Sequence, residues 1–168
     1  MGRKRPPRLS GFDYLGCHAY FLTICAENGA PFAGAPEIAD GVCIQILRTA
    51  TEYGFATIAY CLMPDHLHAL AEGLDDRADF RKAISMVKQR TSFAYRHQYQ
   101  ERLWQEGYYD HVLRDGEPQI GVAAYIINNP IRAGLCTKLS DYPWLGSDRY
   151  TLEQLIDALQ FDPRRSRP

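Results

Sequence analysis

Residues 55–72, Phe-Ala-Thr-Ile-Ala-Tyr-Cys-Leu-Met-Pro-Asp-His-Leu-His-Ala-Leu-Ala-Glu, decide how this chain folds. Phe55 to Met63 and His66 to Glu72 both read as strands, and Pro64-Asp65 between them suits a tight connection better than one continuous strand. The pair is therefore expected to form a hairpin. Upstream, His18 to Ala26 has the period-two β-branched and aromatic pattern of a buried strand, and Gly29 to Pro36 reads as a loop. Asp40 to Tyr53 then sets Val42, Ile46, Leu47 and Ala50 at helical spacing, with Gly54 as a C-terminal cap. Downstream, Asp76 to about Tyr99 predicts a longer helix, with Phe80, Ile84, Val87 and Phe93 as its apolar face. Arg81, Lys82, Lys88, Arg90 and Arg96 give that helix a basic side, and Tyr108 to Leu113 supplies a fourth strand.

Strand, helix, strand, strand, helix, strand is the order of an α+β fold, a ferredoxin-like split β-α-β antiparallel sheet with helices on one face. An additional helix is expected over Ile120 to Asn129, with Pro118 at its start, Pro130 stopping it and Tyr125 on it. After Gly134 the pattern weakens into the turn-rich stretch Asp141-Tyr-Pro-Trp-Leu-Gly-Ser, and Leu152 to Leu159 reads as a last helix. The expected organisation is a basic tail over residues 1–12, one globular domain over 13–150, and a C-terminal helix with a basic tail over 151–168. No internal repeat is visible.

A chain of 168 residues, 46% of them hydrophobic, can bury one real core but hardly two. Its longest apolar stretches, such as Ile58 to Met63, fall far short of the roughly 20 residues that cross a bilayer. The basic start, Met-Gly-Arg-Lys-Arg-Pro-Pro-Arg, lacks the apolar segment of a signal peptide, so a cytoplasmic location with no membrane partner is expected. Cys17, Cys25, Cys43, Cys61 and Cys136 are odd in number, scattered and never in Cys-x-x-Cys spacing; they read as reduced, mostly buried fillers. A net charge of −1 argues against bulk coating of nucleic acid, but the ends are basic: Arg3, Lys4, Arg5 and Arg8 at one, Arg164, Arg165 and Arg167 at the other. Such tails suit phosphates or are simply solvated.

The chemistry begins at His66-Leu67-His68. Alternation on a strand turns both imidazoles to one face and the leucine to the other, so one metal ion can touch both. A neutral imidazole needs its second nitrogen oriented by a partner, which the sequence does not identify. A hydrogen-bonded pair without a metal fits the spacing equally. Asn129 lies four residues after Tyr125, which places its amide on the phenol's side of the helix as a further oxygen ligand. Asn128-Asn129-Pro130 also reads as a plain helix-ending turn, with Tyr125 and Ile126 in the core.

Four motifs, Tyr60-Cys-Leu-Met-Pro-Asp-His-Leu-His, Trp104-Gln-Glu-Gly-Tyr-Tyr-Asp-His, Tyr125-Ile-Ile-Asn-Asn-Pro-Ile-Arg-Ala-Gly-Leu and Tyr142-Pro-Trp, occur here in the order found in one family. Over roughly His18 to Tyr150 the chain resembles the REP-associated tyrosine transposases, single-strand transposases of the HUH endonuclease superfamily. The resemblance implies a ferredoxin-like catalytic domain, a divalent metal (Mg²⁺ or Mn²⁺), and one tyrosine that attacks DNA to leave a 5′-phosphotyrosine and a free 3′-hydroxyl. Carried over by motif, His66 and His68 become metal ligands, Tyr125 the nucleophile, and Asn129 the polar residue completing the metal site. Magnesium prefers oxygen and imidazole suits softer ions, so manganese is expected to support activity better in the tube.

Tyr95, Tyr99, Tyr108 and Tyr109 are rival nucleophiles. Candidate DNA contacts are Arg3, Lys4 and Arg5 in the tail, Lys88 and Tyr95 with Ser92 on the basic helix, Trp104 and Trp144 as stacking rings, His111, and Arg132. Some eighteen residues follow Tyr150, too few for the helix-turn-helix domain of some relatives, so DNA choice is expected to lie in the catalytic domain and tails. The resemblance implies a repetitive palindromic DNA hairpin beside a short unpaired guide as the substrate. Two other classes remain: a nucleic-acid-binding module that has lost cleavage, and a metal-dependent esterase of small phosphates, which would form no covalent adduct. Monomer and homodimer are both compatible with the sequence.

Overall fold

The computed structural model describes residues 11–160. Arg3, Lys4 and Arg5, with the other tail arginines, lie outside the described residues. The elements run β1 (Ala19–Cys25), α1 (Pro36–Glu52), β2 (Phe55–Leu62), β3 (His66–Gly73), α2 (Phe80–Tyr99), β4 (Tyr109–Val112), α3 (Gln119–Ile127), α4 (Asn129–Arg132), β5 (Leu145–Gly146) and α5 (Leu152–Gln160). The strands form one antiparallel sheet in the order β4-β1-β3-β2-β5. The first four strands of the chain, in the sheet order β4-β1-β3-β2, have the expected ferredoxin-like arrangement. Among the described residues no helix is long and apolar enough to cross a membrane.

Alternation assigns the two faces. Tyr20, Leu22 and Ile24 of β1 and Leu67 and Ala69 of β3 pack under α1 and α2, whose Val42, Ile46, Phe80, Ala83, Ile84 and Val87 complete the first core. The opposite residues, Ala59 and Cys61 of β2 and Leu70 of β3, pack with Ile58 under Ala123, Ile126 and Ile127 of α3 and Leu155 of α5. β2 is buried along nearly its whole length because helices cover both its sides. A register shift between Thr57 and Ala59 lets both Ile58 and Ala59 face α3.

The boundaries differ from the sequence reading for identifiable reasons. α1 starts four residues early, at Pro36, because proline fits the first helical turn, where its missing N–H has no helical partner in any case. α2 starts at Phe80, where the Asp79 carboxylate accepts from the Lys82 N–H at 3.0 Å as N-cap. Phe93 is 76% exposed rather than part of the apolar face, since six residues beyond Val87 is about 120° away around the helix. Thr91 takes the buried position. Pro130 does not stop the chain's helical course: α3 ends at Ile127 and Pro130 sits in the first turn of α4. β5 was unforeseen; it pairs with Tyr60 and Cys61, and a side chain at Gly146 would run into the Tyr60 ring, so glycine permits the approach. Of the five cysteines, all free, Cys43 and Cys61 are buried but Cys17 is exposed.

A candidate catalytic face with a histidine pair

Three cross-strand rows define the face opposite α1 and α2. Tyr109, Thr23, His68 and Cys61 lie side by side across β4, β1, β3 and β2. His111, Phe21, Leu70 and Ala59 form the next row, and Cys25 stands opposite His66. α3 packs on β2 and β3, beside the histidine strand. Its start is pinned there: the Gln119 amide donates to Glu72 of β3 at 2.7 Å, and Arg149 bridges Glu72 at 2.6 Å and Gln119 at 3.1 Å.

The two imidazoles converge. Their Nε2 atoms are 3.0 Å apart, while each Nδ1 has its own partner: Asp65 Oδ1 at 2.6 Å for His66 and Thr23 Oγ1 at 2.8 Å for His68. A carboxylate only accepts, so Asp65 keeps the proton of neutral His66 on Nδ1 and leaves Nε2 as a lone pair. Thr23 can donate or accept. Without a cation, His68 can carry its proton on Nε2 and donate to His66 while Thr23 donates to Nδ1; turning the hydroxyl round releases both Nε2 lone pairs toward one point.

The pair fits a single ion. Two nitrogens each about 2.1 Å from a metal and at right angles about it would stand about 3.0 Å apart, as these do. Burial, reinforced by the neighbouring His66, pushes the His68 imidazole down to about 4, so at neutral pH it is in the form that binds metal. Among the described residues no group of three or more His, Cys, Asp or Glu is arranged to hold a metal. The remaining positions of an ion here would fall to neutral oxygens, to water and to substrate.

Tyr125 is 47% exposed, although its neighbours Ala124, Ile126 and Ile127 are buried, so it is not a core residue. The Arg132 guanidinium lies 4.8 Å from the centre of its ring. Asn129 donates through its amide to the Tyr125 and Ile126 carbonyls at 3.0 and 2.9 Å, which commits its N–H groups to the helix end and leaves the amide oxygen for a ligand.

Other candidate residues are placed elsewhere. Tyr95 and Tyr99 pack against each other at a tilt on α2, beyond the opposite face of the sheet, and Tyr108 packs against Phe80 on that same side. Tyr109 alone of the rival tyrosines shares the face with the histidines. Lys88 donates to the carbonyls of Gln105, Glu106 and Gly107 at 2.6, 3.0 and 3.2 Å, fixing the loop before β4. The basic side of α2 is similarly occupied: Arg90 pairs with Glu52 of α1, Arg81 covers the Tyr14 ring and Lys82 the Tyr53 ring. Trp104 is 4% exposed and donates to Thr91, so its ring belongs to the core; Trp144 donates to Asp40 and packs against Tyr142. His111 is on the histidine face, 3.3 Å from Glu117. Thr23 and Asp65 were missed. Asp65 adjoins the pair in sequence, but nothing local marks Thr23, which only strand register brings to His68.

The sequence matches the IS200-like transposase family over residues 20–129, well over half of the chain. A Haemophilus influenzae protein named as a REP-associated tyrosine transposase is 28% identical over 110 residues, 58% of this chain and 61% of that protein, so the match spans about three fifths of the relative's length. An uncharacterized protein of the same organism is 24% identical over 160 residues, 76% of this chain and 88% of its own length. Among solved structures, a REP-associated tyrosine transposase bound to a REP hairpin superposes with a TM-score of 0.65 at 20% identity, covering 86% of this chain and 82% of that one. At that identity the likeness speaks for the fold; the family match over β1 to Asn129 is what shows that this chain belongs to the IS200-like transposases.

Proposed function

We propose that the chain is a metal-dependent single-strand DNA endonuclease and strand transferase that works through a 5′-phosphotyrosine on Tyr125 and acts on hairpin-forming repetitive palindromic DNA. The observation carrying this reading is the pair of oriented imidazoles, Nε2 to Nε2 at 3.0 Å, on the sheet face against which α3, the helix carrying the half-exposed Tyr125, packs. The named relative and the hairpin-bound neighbour support the choice of DNA.

In this reading His66 and His68 hold a divalent ion through Nε2, with the Asn129 amide oxygen as a further ligand. Asp65 and Thr23 fix the two rings. Such an ion, held by these residues, would supply positive charge beside the scissile phosphate and the departing 3′ oxygen. The Tyr125 oxygen attacks phosphorus in line, its phenolic proton passing to solvent; the new Tyr–O–P bond forms as the P–O3′ bond breaks, and the departing O3′ takes up a proton from solvent to become the 3′-hydroxyl. Arg132 adds charge beside the attacking ring. Because one phosphoester replaces another, the step reverses when a 3′-hydroxyl from a second strand attacks the phosphotyrosine, and this rejoins DNA.

The test is a labelled hairpin with a single-stranded flank, incubated in Mn²⁺ and separately in Mg²⁺. Wild type is expected to form a denaturation-resistant protein–DNA adduct, more in Mn²⁺, and Tyr125→Phe to bind the same DNA without an adduct. An adduct on Tyr125→Phe would remove Tyr125 from the chemistry. Binding by wild type with no adduct in any divalent ion would leave a nucleic-acid-binding module instead.

A further inference from the structure

We propose that Tyr109, backed by Phe21, is a stacking platform for one unpaired nucleobase next to the scissile phosphate. The proposal rests on the DNA-processing reading above and adds to it a binding subsite on the β4 edge of the histidine face.

Position is the first argument. Tyr109 lies in the same cross-strand row as His68, with Thr23 between them. Two strand spacings of about 4.8 Å put the backbones of Tyr109 and His68 about 10 Å apart. A nucleotide whose phosphate meets the imidazoles can therefore reach Tyr109 with its own or its neighbour's base.

Packing is the second. α3 covers the β2 and β3 side of this face, but Tyr109 remains 44% exposed and His111 is exposed beside it on β4. Phe21 is a diagonal neighbour on the same face, its ring edge-on to Tyr109 at 6.5 Å and 71° and stacked on His68 at 5.6 Å and 23°. The three rings form a continuous aromatic row from the sheet edge to the histidine pair. Tyr109 is thus steadied by an edge-on contact with Phe21 while nearly half of it stays accessible, which leaves ring surface for a flat π system.

Chemistry selects the occupant. Apart from Phe21, the residues around Tyr109 on this face, Thr23 and His111, are polar, whereas a protein partner would need a contiguous apolar patch. A single nucleobase needs only one ring face. Base–aromatic stacking needs no particular base and tolerates any sequence. Paired bases are already stacked on their neighbours, so the subsite favours the unpaired flank over the hairpin stem.

The experiment measures binding in EDTA, with no turnover, for a hairpin with a single-stranded flank, the blunt hairpin, and a series in which one flank position at a time is abasic. Wild type is expected to prefer the flanked DNA and to lose about 10-fold in affinity at one abasic position. Tyr109→Ala should lose about the same factor on the intact flank, nothing further at that position, and nothing on the blunt hairpin, with an unchanged melting temperature. Tyr109→Phe should keep both binding and, in Mn²⁺, adduct formation. Equal affinity of Tyr109→Ala and wild type for flanked DNA would overturn the platform while leaving the DNA reading intact. Loss of the adduct in Tyr109→Phe would move Tyr109 into the chemistry and also overturn it. Failure of wild type to bind either DNA would overturn both.

Discussion

The two faces of the sheet are built from alternate residues of the same strands, yet they are finished differently. On the α1–α2 side the strands present Tyr20, Leu22, Ile24, Leu67 and Ala69, and aromatic rings close the packing: Tyr20 stacks on Phe80 at 3.9 Å and meets Phe55 edge-on. On the other side α3 and α5 cover the β2 half, and the row Tyr109–Thr23–His68 runs out toward the β4 edge. One face holds the molecule together. The other keeps oriented polar groups partly accessible on a rigid support, which is what precise ligand geometry requires.

Substitutions on the two faces should therefore separate stability from ligand binding. The largest effect is expected from Phe80→Ala, which should cost about 4 kcal/mol of folding stability by removing a buried ring, while the molecules that remain folded bind Mn²⁺ as before. Urea unfolding with metal titration checks both. His66→Ala is the mirror case: Mn²⁺ affinity should fall at least 100-fold, followed by the paramagnetic signal of free Mn²⁺, while stability changes little at this partly exposed position. Equal loss of stability and affinity in both variants would break the division between faces.

Asp65→Asn sharpens the comparison on the histidine side. An amide no longer compels His66 to keep its proton on Nδ1, and metal affinity should drop about 10-fold to 100-fold with folding unchanged. The pH dependence of the metal-free protein gives a smaller signal. The His68 imidazole is depressed to about 4, chiefly by burial, while an unfolded chain takes up its proton near 6.5. Above pH 6.5 the contribution to stability is fully present; as pH falls toward 4 the unfolded state binds a proton that the folded state refuses, and stability drops by on the order of 2 kcal/mol. His68→Gln should remove this slope from the difference curve. The smallest effect belongs to the α1–α2 side, where the buried Thr57 hydroxyl has no hydrogen-bond partner among the described residues and lies beside an apolar cavity of about 30 Å³. Thr57→Val should raise stability by about 1 kcal/mol and leave metal and DNA binding alone.

What could be read in the sequence depended on how local its cause was. The strand order and the shared face of His66 and His68 follow from period-two alternation within single strands, and both were legible. The face on which α3 docks was not, because Ile120 to Ile127 is apolar on nearly every side and its periodicity selects none. Lys88 read as a phosphate ligand because its charge was visible and its acceptors, backbone carbonyls 17–19 residues away, were not. Thr23 was invisible for the same reason: its role comes from the register that pairs it with His68. Tyr125 was chosen by family resemblance, and the structure adds only that it is half exposed on a helix beside the histidine strand.

The most direct test of the histidine face as a catalytic surface is to digest the covalent protein–DNA complex formed in Mn²⁺ and locate the nucleotide by mass spectrometry. The account predicts a 5′-phosphonucleotide on the peptide carrying Tyr125 and on no other tyrosine. A nucleotide on Tyr109, or cleaved DNA with no modified peptide at all, would contradict it.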